Sequence, residues 1–202
     1  MAVPHDFTAG DVLTAAQMDI IANRVVSDVT SGGRPGSPHE GMTIHETDTS
    51  LGYIYDGANW VQVDNVGAWT SYTPTWTGSG SNPAIGDGTL VGYYRRHGRS
   101  IEVLIYILDG ASTTEGTGTY SITLPVAPHA TARVVLTGDL LDSGTQHYTA
   151  QAVFNNSTTS EEILVGSNAA GPTGWTQTSP FTLAVNDRLV LGGVYPAASS
   201  TA

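Results

Sequence analysis

The histidines and acids of this sequence are the side chains that could hold a metal ion. Two of the six histidines, His39 and His45, lie six residues apart, and a glutamate follows each of them. The helical H-E-x-x-H motif places two histidines on one face at a shorter spacing, so this pair does not match it. We therefore predict hydrogen-bonded or solvated histidines, no metal and no cofactor. A three-fold axis that gathers three copies of one histidine around an ion is the alternative.

Pairs of carboxyl groups could cleave a glycosidic bond if they stood roughly 5 to 10 Å apart with different pKa values. Glu161 and Glu162 are neighbours on a predicted strand, so their side chains point to opposite faces. Asp139 and Asp142 are indistinguishable from ordinary surface acids. The G-x-S-x-G motif of a nucleophilic serine is absent from the sequence. We predict that the chain is not an enzyme.

Three of the arginines, Arg95, Arg96 and Arg99, concentrate around one predicted turn of an acidic chain. One interpretation is a surface that grips an anionic cell-wall polymer or a neighbouring protein. The other is a β-hairpin in which the arginines pair with cross-strand acids such as Glu102. Both remain open at the level of sequence.

Aromatic side chains could form platforms on which sugars stack. Trp175 lies in the segment GPTGWTQTSP, whose glycines and prolines predict a loop. Because recognition residues concentrate on loops, Trp175 is the predicted exposed aromatic. Burial in a core is the alternative, both for Trp175 and for Trp76.

Composition excludes several classes of function. Of the 202 residues, 40% are hydrophobic and 12% are charged, which favours a folded, mainly β protein. The formal net charge is -11 and lysine is absent, so we predict no nucleic-acid partner and no membrane insertion. The start of the chain has neither the basic nor the apolar region of a signal peptide, so we expect assembly in a cytoplasm without export. No cysteine is present, so disulfides are excluded.

The first predicted region, residues 1–31, is a short α-helix. Thr14 and Gln17 have the spacing of a capping box, which predicts a helix over about residues 15–29. The helix would dock on its own chain or join a parallel bundle of copies. Its predicted trimerisation residues are Met18, Ile21 and Val25.

The second predicted region, residues 32–66, is a linker followed by a small β collar. Glycines and prolines in SGGRPGSPHEG break the helical pattern. Short β-prone runs separated by turn residues then predict three strands. A sheet this small presents more aromatic surface than it can bury by itself, so neighbouring subunits or the rest of the chain are the predicted partners. The aromatics assigned to trimerisation are Tyr53, Tyr55 and Trp60.

The third predicted region, residues 67–202, is an antiparallel β-sandwich resembling a jelly roll. Eight or nine short runs of β pattern recur with Gly, Pro, Asn or Asp between them. The run SIEVLIYIL, residues 100–108, is apolar on both faces. We expect this strand to be buried on both sides, at the centre of a sheet or in a subunit contact.

Several segments resemble proteins of tailed bacteriophages. FTAGDVLTAAQMDIIANRV resembles the amino-terminal helix of many phage fibre and minor tail proteins. RPGSPHEGMTIHETDTSLGYIYDGANWVQV is similar to a small β motif of actinobacteriophage tail proteins. YTPTWTGSGSNPAIGDGTLVGYYRRHGRSIEVLIYI, GTGTYSITLPVA and PFTLAVNDRLVLGGVYP resemble their carboxy-terminal β-sandwich.

The resemblance implies a homotrimer located in the virion. A helix bundle would attach it to other tail or capsid proteins, and the sandwich heads would contact the host surface, including its glycans. The expected function is that of a minor tail protein or tail fibre. A capsid decoration protein or head fibre is the first alternative, and a carbohydrate-binding or depolymerase module is the second.

Overall fold

The chain is mainly β and divides into two compact units, Met1–Val66 and Gly67–Ala202. The computed structural model describes residues 12, 14–15, 27–65, 69–167 and 170–198. Among these residues Ala15 is α-helical, and the one complete helical segment is a short 3-10 turn at Ser31–Gly33. None of the described segments is a helix of the length and apolarity needed to cross a membrane.

The first unit contains one four-stranded sheet in sequential order. Two hairpins join its last three strands, which confirms the predicted meander. The second hairpin turns on Asp56, whose Oδ1 accepts hydrogen bonds from the amides of Ala58 at 2.9 Å and Asn59 at 2.7 Å. Gly57, with φ of 98°, takes the left-handed conformation of this turn. The strands are β1 (Ser27–Val29), β2 (Thr43–Glu46), β3 (Leu51–Tyr55) and β4 (Trp60–Asn65).

The predicted helix over residues 15–29 is wrong at its carboxyl end. Residues 27–29 form β1, which pairs in parallel with β2. The amide of Thr47 donates a hydrogen bond of 2.8 Å to the Val29 carbonyl, and this pairing replaces helical bonds. Most of the predicted helix, including Met18, Ile21 and Val25, lies outside the described residues.

The second unit contains an eight-stranded antiparallel sheet and a two-stranded one, an arrangement consistent with the predicted β-sandwich. The large sheet has the order β13-β12-β11-β10-β14-β8-β7-β5, and β6 pairs with β9 in the small sheet. The strands are β5 (Thr70–Tyr72), β6 (Trp76–Gly78), β7 (Thr89–His97), β8 (Ser100–Leu108), β9 (Tyr120–Ile122), β10 (Arg133–Asp142), β11 (Gln146–Asn155), β12 (Glu162–Ser167), β13 (Ala170–Gly174) and β14 (Arg188–Pro196).

One face of the large sheet carries the hydrophobic core. Alternate residues of β8 from Ile101 to Ile107 are buried, as are Leu189 and Leu191 of β14, because successive strand residues point to opposite faces. β8 is central, as predicted, between β14 and β7. Its second face is not buried in this chain, since Leu104 is 39% exposed. The expectation of burial on both sides is therefore wrong for one copy of the chain.

Candidate interaction surfaces

The aromatic residues of the small sheet occupy one face but differ in exposure. Tyr53 lies opposite Ile44 in β2 and Gln62 in β4, and it is buried. Tyr55 pairs with Trp60 across β3 and β4, with ring centroids 5.4 Å apart, and both side chains are half-buried. Tyr53 is thus already packed within its own unit, which corrects its assignment to trimerisation. Tyr55 and Trp60 still offer aromatic surface to a partner.

A partly buried ion pair between the predicted linker and the sheet is a feature that the sequence pattern did not reveal. The guanidinium of Arg34 lies 4.1 Å from the centroid of the Tyr53 ring, and its Nε donates to Oε1 of Glu46, which is 0% exposed. Thr49 donates a second hydrogen bond of 2.6 Å to Oε2 of the same carboxylate. The bond to Glu46 raises the pKa of Arg34. The segment after β1 therefore packs back onto the sheet and is more than a spacer.

Arg95 pairs across the β7–β8 hairpin, as the second interpretation of the arginine cluster predicted. Its Nε donates a hydrogen bond of 2.6 Å to Oε2 of Glu102, the residue opposite it in β8. Its guanidinium also lies 4.9 Å from the centroid of the Trp69 ring. Both charged side chains of the pair are about one-third exposed, so the pair is a partly solvated surface contact.

The neighbouring arginines divide between core and surface. Arg96 is 6% exposed and lies on the inner face of β7, so its assignment to surface recognition is corrected. Strand alternation explains the difference, because Arg95 and Arg96 must point to opposite faces. The positive charge of Arg96 opposes the increase that burial causes in the pKa of Tyr195. Arg99 is exposed at the hairpin turn beside Gly98, whose φ is 57°.

Trp175 is a core residue, which corrects its assignment to surface recognition. Its side chain is 1% exposed and stacks on Trp76 with centroids 5.6 Å apart and planes inclined by 7°. Tyr120 meets its ring edge to face at 4.7 Å. The loop prediction is wrong for residues 171–174, which belong to β13 and pair with β12. The sequence also could not show that the tryptophan folds inward, because its partners are distant in sequence.

Three acids at one end of β8 and β14 form a carboxyl cluster that the sequence analysis missed: Asp109, Glu115 and Asp187. The amide of Asp109 donates a 2.9 Å hydrogen bond to the Asp187 carbonyl, which ties the two segments together. The Asp187 carboxylate accepts bonds from the amides of Ser143 at 2.8 Å and Ala184 at 2.7 Å. Oδ1 of Asp109 and Oε2 of Glu115 are buried, and neither finds a hydrogen-bond partner within the described part of the chain.

The environment of this cluster favours a protonated carboxyl group. Burial, followed by the charges of Glu115 and Asp187, raises the pKa of Asp109 to about 7. Burial and Asp187 also raise the pKa of Glu115. A clue in the sequence is that Asp109 follows one strand and Asp187 precedes another, but no pattern showed that these strands are neighbours.

The cluster lacks the access that catalysis by a carboxyl group requires. Asp109 is 4% exposed and Asp187 is 2% exposed, so a polymeric substrate cannot reach either group in this conformation. Within the described residues no group of three or more His, Cys, Asp or Glu side chains is arranged to hold a metal ion. The arrangement is therefore a buried acid cluster in which Asp109 favours its protonated form.

No protein-family model matches the sequence, and neither a curated protein nor a solved structure matches it.

Proposed function

We propose that this chain is a structural virion protein of a tailed bacteriophage, a trimeric minor tail protein or short fibre that contributes to attachment at the host surface. The observation that carries the proposal is the first unit. Its described part is one four-stranded layer that keeps Tyr55 and Trp60 half-exposed. A unit of this size gains stability from association, and three copies around an axis would cover these rings. The resemblance of three segments to phage tail proteins supports the same function.

The two ends of the chain have different roles in this proposal. The amino-terminal region that precedes β1 attaches to other virion proteins. The second unit forms a jelly-roll-like head that projects from the particle. Nucleic acid is not a partner, since 18 acids oppose 7 basic residues.

In this proposal the tip of the β7–β8 hairpin contacts the host. Arg99 is exposed there, and Arg95 stands nearby on the strand, one-third exposed. A guanidinium binds planar anions in a bidentate manner, so an anionic cell-wall polymer or a host glycan with acidic groups is the proposed ligand. Arg96 and Trp175 have no part in it, because both are buried.

Labelling of whole virions tests this function directly. An antibody against the second unit should bind at the tail in electron micrographs of negatively stained particles. Labelling on the capsid would replace the proposal with that of a decoration protein or head fibre. An absence of label on intact and on disrupted virions would overturn a structural role, and release of saccharides by the purified chain would support the depolymerase alternative.

The oligomer is tested by Trp60→Ala. This substitution should weaken association of the full chain while leaving the fold of the second unit unchanged, because the Trp60 ring packs against Tyr55 of its own unit. Sedimentation velocity measures association, and near-ultraviolet circular dichroism reports the stacked tryptophans of the second unit. Equal damage to both would contradict the proposed collar.

A further inference from the structure

The side of the large sheet opposite the core, here called the outer face, carries an exposed apolar patch. Half of the eight large hydrophobic side chains that are exposed among the described residues lie on it. They come from the adjacent strands β7, β8, β14 and β10, so they are neighbours in space. Tyr93 lies directly opposite Leu104, for example. The exposed fractions are 39% for Tyr93, 39% for Leu104, 66% for Val194 and 45% for Val135.

The outer face is large enough for a stable contact. Strands about 4.8 Å apart that rise about 3.3 Å per residue give these four strands a footprint of roughly 600 Å². Specific interfaces bury about 800 Å² of accessible surface on each partner, and side chains standing above the sheet enlarge the projected footprint towards that value.

The charges of the outer face are balanced, unlike those of the whole chain. The sequence has a formal net charge of -11, so two copies repel each other over most of their surfaces. Strand alternation places three arginines and three acids on the outer face. One pair, Arg95 with Glu102, is already in contact at 2.6 Å. The six residues are Arg95, Arg133, Arg188, Glu102, Asp139 and Glu162.

We propose that the outer face is the surface through which the second unit binds a second copy of this chain. Apolar side chains occupy its centre, its charges sum to zero, and a neutral surface is where two acidic chains can approach without repulsion. The inference deepens the proposed function and rests on it, because it names the face by which the heads of the assembly meet. It also explains why β8 has apolar residues on both faces, because a partner would bury the face that carries Leu104.

Single cysteines test which surface is covered, since the natural chain has none. Val194→Cys probes the outer face, and Val185→Cys probes the loop before β14, where the native side chain is 50% exposed. In the full chain, the Cys at position 194 should react with a maleimide about tenfold more slowly at high than at low protein concentration. The Cys at position 185 should react at one rate throughout.

Three labelling results would overturn the inference. Equal, concentration-independent rates at both positions would mean that the outer face stays open. Slow labelling at position 194 in a chain that sediments as a single copy would mean that the chain covers its own face. An assembled chain with an open position 194 would leave the proposed trimer standing and remove only this interface.

Charged substitutions provide the second measurement. Val135→Asp combined with Val194→Asp should weaken self-association of the full chain at least about tenfold in sedimentation velocity, as expected for charges placed at the centre of an interface. Val185→Asp is the matched control and should leave association unchanged. Both substituted chains should keep the circular dichroism spectrum of the parent, because these side chains are already exposed. Unchanged association of the double variant would overturn the inference.

Discussion

Two buried carboxyl groups, one in each unit, have opposite surroundings. Glu46 of the small sheet is 0% exposed and receives hydrogen bonds from Arg34 and Thr49. Asp109 of the second unit is 4% exposed, and its neighbours Glu115 and Asp187 are themselves acids. The same loss of water therefore produces an ion pair in one unit and a carboxyl group that retains its proton in the other.

The comparison shows that burial alone does not fix the charge of an acid. A cationic neighbour and a hydroxyl donor offset the desolvation of Glu46, and this makes the charged form compatible with the interior. Asp109 has no such donor to Oδ1 among the described residues. Its protonated, neutral form is therefore favoured, because that form avoids the cost of burying a charge. The stability of the second unit should therefore depend on pH, and the stability of the first unit should depend on the hydrogen-bond donors to Glu46.

The largest expected effect is the pH dependence of the second unit. The pKa of Asp109 rises from 3.8 to about 7 on folding, so the folded chain binds this proton more tightly than the unfolded chain. The stabilisation is complete below pH 3.8 and is lost as the pH rises through 7, by at most about 4 kcal/mol. Urea denaturation between pH 3.8 and pH 8.5 measures this loss.

Asp109→Asn should flatten that dependence and make the second unit more stable than the parent at pH 8.5. The raised pKa of Glu115 should leave a weaker slope of the same sign. Asp142→Asn, at the end of β10, is the control and should preserve the parent profile. Parallel profiles for the parent and Asp109→Asn would refute the account of the carboxyl cluster.

Arg34→Met should produce the next largest effect, confined to the first unit. It leaves the Glu46 carboxylate buried with one hydroxyl donor, which costs roughly 2 to 4 kcal/mol, less than for a fully buried pair because the Arg34 side chain is 33% exposed. Hydrogen exchange at the amides of β2 and β3 measures the loss. Arg133→Met, at an exposed position of β10, should leave these amides unchanged.

Thr49→Ala sharpens the comparison by removing only the hydroxyl donor to Glu46. The carboxylate keeps Arg34, so the expected loss is about 1 kcal/mol, the usual contribution of one hydrogen bond. The same hydrogen-exchange experiment measures it, with Thr43→Ala as the control. A loss as large as that of Arg34→Met would mean that the hydroxyl, and not the guanidinium, supports the buried charge.

The smallest effect should come from the pair Arg95 and Glu102. Both side chains are about one-third exposed, so a double-mutant cycle to alanine should give a coupling of only about 0.2 to 1 kcal/mol, weaker at high salt. Thermal unfolding in low and high salt measures this coupling. A coupling above 2 kcal/mol would place the pair in a drier environment than its exposure indicates.

Local pattern was sufficient to predict the antiparallel β character. The apolar run from Ile101 to Leu108 predicts a strand, although not that only one of its faces is buried, and the Asp56-Gly57 turn predicts a hairpin. Both depend on residues close in sequence. β1 could not be predicted, because three residues carry no period and its pairing with β2 crosses the intervening segment.

The candidate sites depend on contacts between residues far apart in sequence, and the local sequence pattern does not show such contacts. Trp175 stacks on Trp76, which is far from it in sequence, and nothing in GPTGWTQTSP indicates that partner. Arg34 lies in a glycine- and proline-rich segment that indicates a spacer, while its ion pair forms with a later strand. The helix residues and the trimer stay predictions.

The parallel attachment of β1 determines how the first unit bears tension. Because β1, β2 and β4 all run in the same direction, the start of β1 and the end of β4 lie at opposite ends of the sheet. A pull between Ser27 and Asn65 therefore acts along the strands and shears the β1–β2 hydrogen bonds together instead of opening them one by one. The four-stranded sheet should therefore resist stretching of the chain between these two residues.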